Sequence, residues 1–241
     1  MKLVSIISEK PDYWCALQTL AWSLSHNGMV TGLDWILIWD GNPKPGYEDA
    51  MRAYGFNPIT MNVKDFDADF SKFGKTNKHL VSAKYKLLFW LLDPKDLYIG
   101  IDIDMVCRKD ARELLTFEHF SVECRPGAPG FCSGLMVFRP DKDAFYHMVN
   151  DIAPRVSCRL ADQAVLNAYY IQEHPEEVNL LPWKWNTSKR EVRQPNWKQL
   201  LDEAIFLHMT GAHKPWLVRE MGYEDAFRIW HEAYAKAQEA L

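Results

Sequence analysis

The sequence has few cysteines and none at a metal-binding spacing. Cys15, Cys107, Cys124, Cys132 and Cys158 form no C-x-x-C pair and leave an odd number. That excludes a disulfide framework and a zinc ribbon, and predicts reduced, mostly buried thiols in a cytoplasmic protein. Long apolar runs are missing too. The N-terminus is apolar for only about five residues before Glu9 and Lys10, too short for a signal peptide, and no stretch approaches the roughly 20 apolar residues of a membrane span. A soluble protein is expected. With a net charge of −4 there is no global basic field to hold nucleic acid. A local basic stretch (Lys72, Lys75, Lys78, His79, Lys84, Lys86) reads either as an anion site or as a solvated loop and helix face. Repeats, low-complexity tracts and linkers are lacking, so residues 1–241 are read as one domain.

What is present is the balance of an ordinary globular protein, 48% hydrophobic and 25% charged. The 10 tryptophans fit either sugar-stacking surfaces or a thick core. The spacing predicts strands at 3–7, 33–39, 58–63 and 97–101, and helices at 13–26, 47–54 and 81–92, with Ser8, Pro11 and Asp12 as turn and cap signals. Strand and helix alternate, which implies an α/β fold with a mostly parallel sheet and helices on both faces. The second half is less regular. Strands fit 121–124, 134–138 and 205–208, the first two flanking a loop at 125–130, and helices fit 143–152, 161–170 and 223–241.

The buried strand at 97–101 runs straight into Asp102-Ile103-Asp104. Two acids one residue apart at a strand end can share a small volume and suit a hard divalent ion such as Mn²⁺ or Mg²⁺. The same pair also reads as two surface acids. Later, His208-Met209-Thr210-Gly211-Ala212-His213-Lys214-Pro215-Trp216 follows an apolar strand. An imidazole beside two carboxylates would complete a metal sphere; Gly211 would let backbone approach a phosphate, and Lys214 would meet its charge. The alternative is a loop with a capping histidine and an exposed lysine.

In this order, Lys84-Tyr85-Lys86-Leu87-Leu88-Phe89-Trp90, Tyr98-Ile99-Gly100-Ile101-Asp102-Ile103-Asp104, Cys132-Ser133-Gly134, Asp162-Gln163-Ala164-Val165-Leu166-Asn167, Leu181-Pro182-Trp183-Lys184-Trp185-Asn186 and the His208 to Trp216 segment resemble glycosyltransferase family eight. That family contains glycogenin and the bacterial lipopolysaccharide galactosyltransferases. The resemblance implies the GT-A fold, with 1–106 as a nucleotide-binding half and 107–241 as a sugar and acceptor half. It implies Asp102, Asp104 and His208 as Mn²⁺ ligands, and Ile103 in the donor site between the two acids. It places Ser8 and Tyr13 at the uracil and ribose, Lys86 at the donor sugar or its phosphate, and Gly211 and Lys214 at the diphosphate. Ser133, Gly134, Asp162 and Gln163 would surround the transferred sugar.

The implied reaction is retaining transfer of a hexose, glucose or galactose, from a UDP-sugar to a saccharide or glycoconjugate acceptor. A β-phosphate oxygen would be the base, and Asp162 the one candidate for a covalent route. The chain ends Ala235-Lys236-Ala237-Gln238-Glu239-Ala240-Leu241, without a basic aromatic tail, so a soluble acceptor is expected over a lipid. Cys132 stands where the family commonly has Asn, and Arg159 where glycogenin-like members can carry an acid; both departures are expected on the sugar and acceptor side. Two readings compete. Asp102 and Asp104 also fit a haloacid-dehalogenase phosphatase, although that motif usually lies on the first strand and needs a later acidic pair. The other is a sugar- or nucleotide-binding module without activity.

Overall fold

Apolar residues on consecutive positions demand cover on both faces, and the structure, a computed structural model, supplies it with a layered α/β fold. It describes residues 1–8, 10, 12–29, 31–75, 77–124, 130–217 and 222–241, with the backbone alone at Lys78 and His79. The turn signal Pro11 and most of the loop at 125–130 lie outside the described residues.

β1 (Lys2–Ser8), β2 (Asp34–Asp40) and β3 (Asn57–Asn62) run parallel, and β4 (Tyr98–Ile101) joins β1 in the same sense. α1 (Tyr13–His26) buries Ala16, Leu17, Leu20, Ala21 and Leu24 on one side, the helical repeat expected of a helix lying on a sheet. It stops at Asn27 and Gly28; Gly28 has φ +81° and Met29 donates back to the Leu24 carbonyl, the left-handed exit that glycine permits. Asp12 precedes the helix, but its side chain caps nothing. α2 (Tyr47–Ala53) connects β2 to β3.

The segment expected as a helix at 81–92 is 3-10 in character and longer, Lys78–Leu91, with Leu87, Leu88, Phe89 and Trp90 buried on the other sheet face. After β4 the parallel order ends. β5 (Met105–Cys107) leaves the sheet, β6 (Ser121–Cys124) and β7 (Phe131–Phe138) pair with each other antiparallel, and β7 lies antiparallel to β4. α3 (Lys142–His147) and α4 (Asp162–Asn167) each continue as a π-helical turn, Met148–Ile152 and Ala168–Glu173. β8 (Asn179–Leu181) pairs with β6, giving the sheet order β3-β2-β1-β4-β7-β6-β8. A second, small sheet has the order β5-β10-β9, from β9 (Thr187–Ser188) and β10 (Phe206–His208). α5 (Trp197–Glu203) precedes β10, and α6 (Glu224–Glu239) packs on α1.

The tryptophans answer the question their number raised. Six are buried, four are half-buried and none is exposed, so they thicken the core. The cysteines are all free, but only Cys107 and Cys158 are buried, fewer than expected. The basic stretch also divides. Lys72 and Lys75 are exposed, Lys84 rides over the Tyr85 ring, and Lys86 is buried. No helix among the described residues is long and apolar enough to cross a membrane.

Candidate active site

The carboxyl end of β4 is where the parallel order breaks, and ligands in open α/β sheets gather at such ends. Asp102 follows β4 directly. Its backbone N–H donates to the Gly134 carbonyl at 2.8 Å, so β7 carries Ser133 and Gly134 alongside it. Ile103, between the two acids in sequence, is buried in the core, and Asp104 leads into β5. Antiparallel pairing of β5 with β10 sets His208 opposite Met105, and Met209 N–H donates to the Asp104 carbonyl at 2.9 Å. Residues more than a hundred positions apart thus meet through a three-residue ladder.

The ligand atoms of Asp102, Asp104 and His208 all lie within 4.8 Å of one another. His208 Nε2 is 3.2 Å from Asp104 Oδ1 and 3.7 Å from Asp102 Oδ2. Its other nitrogen, Nδ1, donates to Asn186 Oδ1 at 2.8 Å, which leaves Nε2 turned toward the acids. A histidine held in this way suits a metal through Nε2. Gly134 makes the room: a Cβ there would stand 2.6 Å from His208 Nδ1. Two carboxylates, one oriented imidazole and a side chain withheld at 134 fit a hard divalent cation.

Two lysines flank the acids. Lys86 Nζ is 2.7 Å from Asp102 Oδ1, 3.4 Å from Asp162 Oδ2 and donates to the Ser133 carbonyl at 3.1 Å. Asp162 opens α4 and is buried, with Gln163 half-buried beside it. Lys214 pairs with Asp104 Oδ2 and donates to the Met209 carbonyl at 2.7 Å. Lys214 is therefore buried in the site, not the exposed loop lysine of the alternative reading.

These contacts set the charges. Burial alone would lift the Asp104 carboxyl, but Lys214 and His208 override it and hold it well below the usual range. Burial works against the His208 imidazolium, yet Asp104 raises it to about 10. Lys86 is likewise raised, because Asp102 and then Asp162 outweigh its burial. Burial pushes the Asp162 carboxyl up, against the pull of Lys86.

Tyr13, the first residue of α1, meets Trp216 edge to face at 5.6 Å; burial first, and then the charges of Asp104 and Asp102, push its phenol up to about 12. Ser8 ends β1 opposite Asp40 of β2, half-buried, at the same end of the sheet. Gly211 turns with φ +85°. One departure falls elsewhere than expected: Cys132 Sγ is 3.9 Å from His208 Nδ1, so it touches the metal side of the site. Burial would raise that thiol, and His208 overrides this and lowers it. Asn186 ends the Leu181–Asn186 motif, and no spacing signals that it meets His208, since the bond joins β9's approach to β10.

No family model matches the chain. Among curated proteins, it is 31% identical over an aligned 256 residues, 98% of its length, to an Arabidopsis thaliana protein named as a UDP-glucuronate:xylan alpha-glucuronosyltransferase 3. It is 27% identical over 203 residues, 82% of its length, to glycogenin of Neurospora crassa. The chain spans only 40% of the first protein and 29% of the second. Among solved structures, the WbbM bifunctional glycosyltransferase matches all of this chain and 51% of its own, with TM-score 0.74 and 14% identity. The galactosyltransferase LgtC, solved with donor and acceptor sugar analogs, matches 98% of this chain and 96% of its own, with TM-score 0.70 and 14% identity.

The fold is therefore that of the GT-A glycosyltransferases. Within that class the chain is a homologue of family-eight members, glycogenin among them, as its motif order implied.

Proposed function

We propose that residues 1–241 form one catalytic domain that moves a sugar from a UDP-sugar to an acceptor hydroxyl, with retention of configuration and dependence on a divalent metal. The observation that carries this reading is the convergence of Asp102, Asp104 and His208 at the carboxyl end of β4. Lys86 and Asp162 adjoin it.

Mn²⁺ or Mg²⁺, held by Asp102, Asp104 and His208, would neutralise the diphosphate and so ease departure of UDP. Lys214, now on Asp104, has its ammonium next to that cluster and supplies a second positive charge where negative charge develops. Gly211 lets backbone come close to the same phosphates. Tyr13 and Ser8 line the nucleoside. Lys86 ties Asp102 to Asp162 and faces the donor sugar, which Ser133, Gly134, Asp162 and Gln163 surround. The acceptor would attack from the face UDP leaves, with a β-phosphate oxygen as base, while Asp162, buried against Lys86, is the carboxylate a covalent route would need.

Glucose and galactose are the donor sugars the family implies, and the name of the Arabidopsis relative adds glucuronate. The acceptor is read as a saccharide or glycoconjugate. A phosphatase nucleophile is disfavoured because Asp102 is tied to Lys86 at the end of the fourth strand.

The test is calorimetric titration of UDP, then of UDP-glucose, UDP-galactose and UDP-glucuronate, with Mn²⁺ and again with EDTA. Metal-dependent UDP binding that disappears in Asp104→Asn is the expected result. Absence of binding with Mn²⁺ present would sink the reading, and binding of UDP-sugars without hydrolysis or transfer would leave a non-catalytic module.

A further inference from the structure

Beyond the acid cluster, the loop that carries Gly211 forms one wall of a cavity of about 320 Å³, within the size range of small-molecule pockets. Arg190 and Arg193 also line it and make it basic. We infer that this cavity is an anion subsite on the acceptor side, taking a saccharide that bears a carboxylate or a phosphate. This rests on the transferase reading of the acid cluster.

Neither arginine is neutralised by an acid among the described residues. Exposed arginines elsewhere divide: Arg52 has Glu48, Arg112 has Asp110 and Arg228 has Glu232, whereas Arg139 meets only backbone carbonyls. Arg190 and Arg193 are exposed as well, yet neither has a carboxylate within salt-bridge distance among the described residues. Arg193 instead donates to the Tyr223 hydroxyl at 3.1 Å, which fixes the guanidinium at the cavity rim. Two guanidinium forks facing one space in a chain of net charge −4 form a site for planar or tetrahedral oxyanions.

The arginines are also built into position. Ser188 caps the 3-10 turn Lys189–Arg193 by accepting from Arg190 N–H at 3.2 Å, and its hydroxyl meets that of Thr210 at 2.5 Å. The turn is thereby pinned to the loop after β10. Glycine at 211 admits the guanidinium: a Cβ there would lie 2.7 Å from Arg190 Nη2.

Location assigns the subsite to the acceptor. Gly211 is three residues beyond His208, so the cavity wall is at most about 11 Å of chain from a metal ligand. The donor's diphosphate already has the metal ligands, the Gly211 backbone at the edge of this cavity, and Lys214, whose ammonium points to Asp104. Arg190 and Arg193 are surplus to that need, and the remaining partner in the reaction is the acceptor.

The test titrates the Mn²⁺- and UDP-loaded protein with glucuronate, glucose 6-phosphate and glucose, in wild type, Arg190→Gln and Arg193→Gln. A charge-assisted contact predicts that the two acids bind at least about tenfold more tightly than glucose. That preference should collapse in both variants while UDP affinity is unchanged. Equal binding of acids and glucose, or a preference that survives both substitutions, overturns the inference. A fall in UDP affinity in Arg190→Gln, with the acid preference intact, also overturns it by assigning the guanidinium to the donor diphosphate. If wild type takes no UDP with Mn²⁺, the transferase reading itself fails; this is told apart because it precedes any acid titration.

Discussion

The two halves of this chain are held together differently. Before Asp102, strands pair in parallel over long registers, as from Leu3 to Ser8 against β2, and the helices beside them follow their apolar repeat. After Asp102, strands of two or three residues and 3-10 or π-helical turns dominate, and single hydrogen bonds between distant residues fix the geometry. The first half is a frame set by burial. The second half hangs polar pins on that frame; Asp104, His208, Gly211 and Lys214 sit on or beside them, while Ser133 and Gly134 ride the eight-residue β7 of the main sheet.

The largest effect should come from breaking the pins at their centre. Asp104→Asn removes a carboxylate that meets both His208 and Lys214. Loss of Mn²⁺-dependent UDP binding should exceed the roughly 100-fold that changes outside a metal's own ligands can cost. The circular dichroism spectrum should not change, because the frame does not use this residue. A variant that still binds UDP normally would remove Asp104 from the site.

The frame should respond in the opposite way. Leu20 is fully buried between α1 and the sheet, so Leu20→Ala should cost about 2–5 kcal/mol of stability. Denaturant unfolding measures that loss, and calorimetry on the folded protein should find UDP affinity intact. A loss below about 1 kcal/mol, well under that range, would mean the frame is less tightly packed than its burial indicates.

Asn186→Leu tests one pin alone. The His208 Nδ1–H loses its acceptor, the ring is free to turn, and Mn²⁺ affinity should fall about 10–100-fold. Titration of Mn²⁺ without nucleotide reads this directly. An unchanged Mn²⁺ affinity would show that packing, not Asn186, orients the imidazole.

This contrast also explains what the sequence could announce. The helix Tyr13–His26 and the strand Ser121–Cys124 have the bounds their patterns gave, because each pattern is longer than the uncertainty of its ends. β5, β8, β9 and α5 left no such mark; β5, β8 and β9 have two or three residues and no period to read, whereas β10, equally short, showed itself as an apolar run ending at His208. The acid pair and His208 could be picked out by residue type and position after apolar runs. The Asn186 bond, the Cys132 contact and the two arginines at the cavity could not, since each depends on a pairing made across the fold. Lys86 shows the same limit from the other side. Its neighbours leave open an anion site or a solvated face, and burial between Asp102 and Asp162 takes it out of the solvated one.

The smallest effect belongs to a pin away from the site. His147 ends α3, and its two nitrogens meet Glu173 at 2.6 Å and Asp151 at 3.0 Å, clipping the continuation of α3 to that of α4. Glu173 first, then Asp151, raise the imidazolium above its ordinary value. A raised folded value means the stabilisation is complete below the unfolded value of about 6.5 and is lost as pH rises through the folded one. Melting temperatures of wild type and His147→Gln should therefore differ most below about pH 6.5 and converge as the pH rises above it. The side chain is 37% exposed, so solvent screens the clip and the difference should be small and shrink further in about 0.5 M salt. A gap that stays constant across this range would mean His147 contributes by packing against Tyr169, whose ring it meets edge to face at 6.0 Å, and the clip would then belong with the burial that builds the frame.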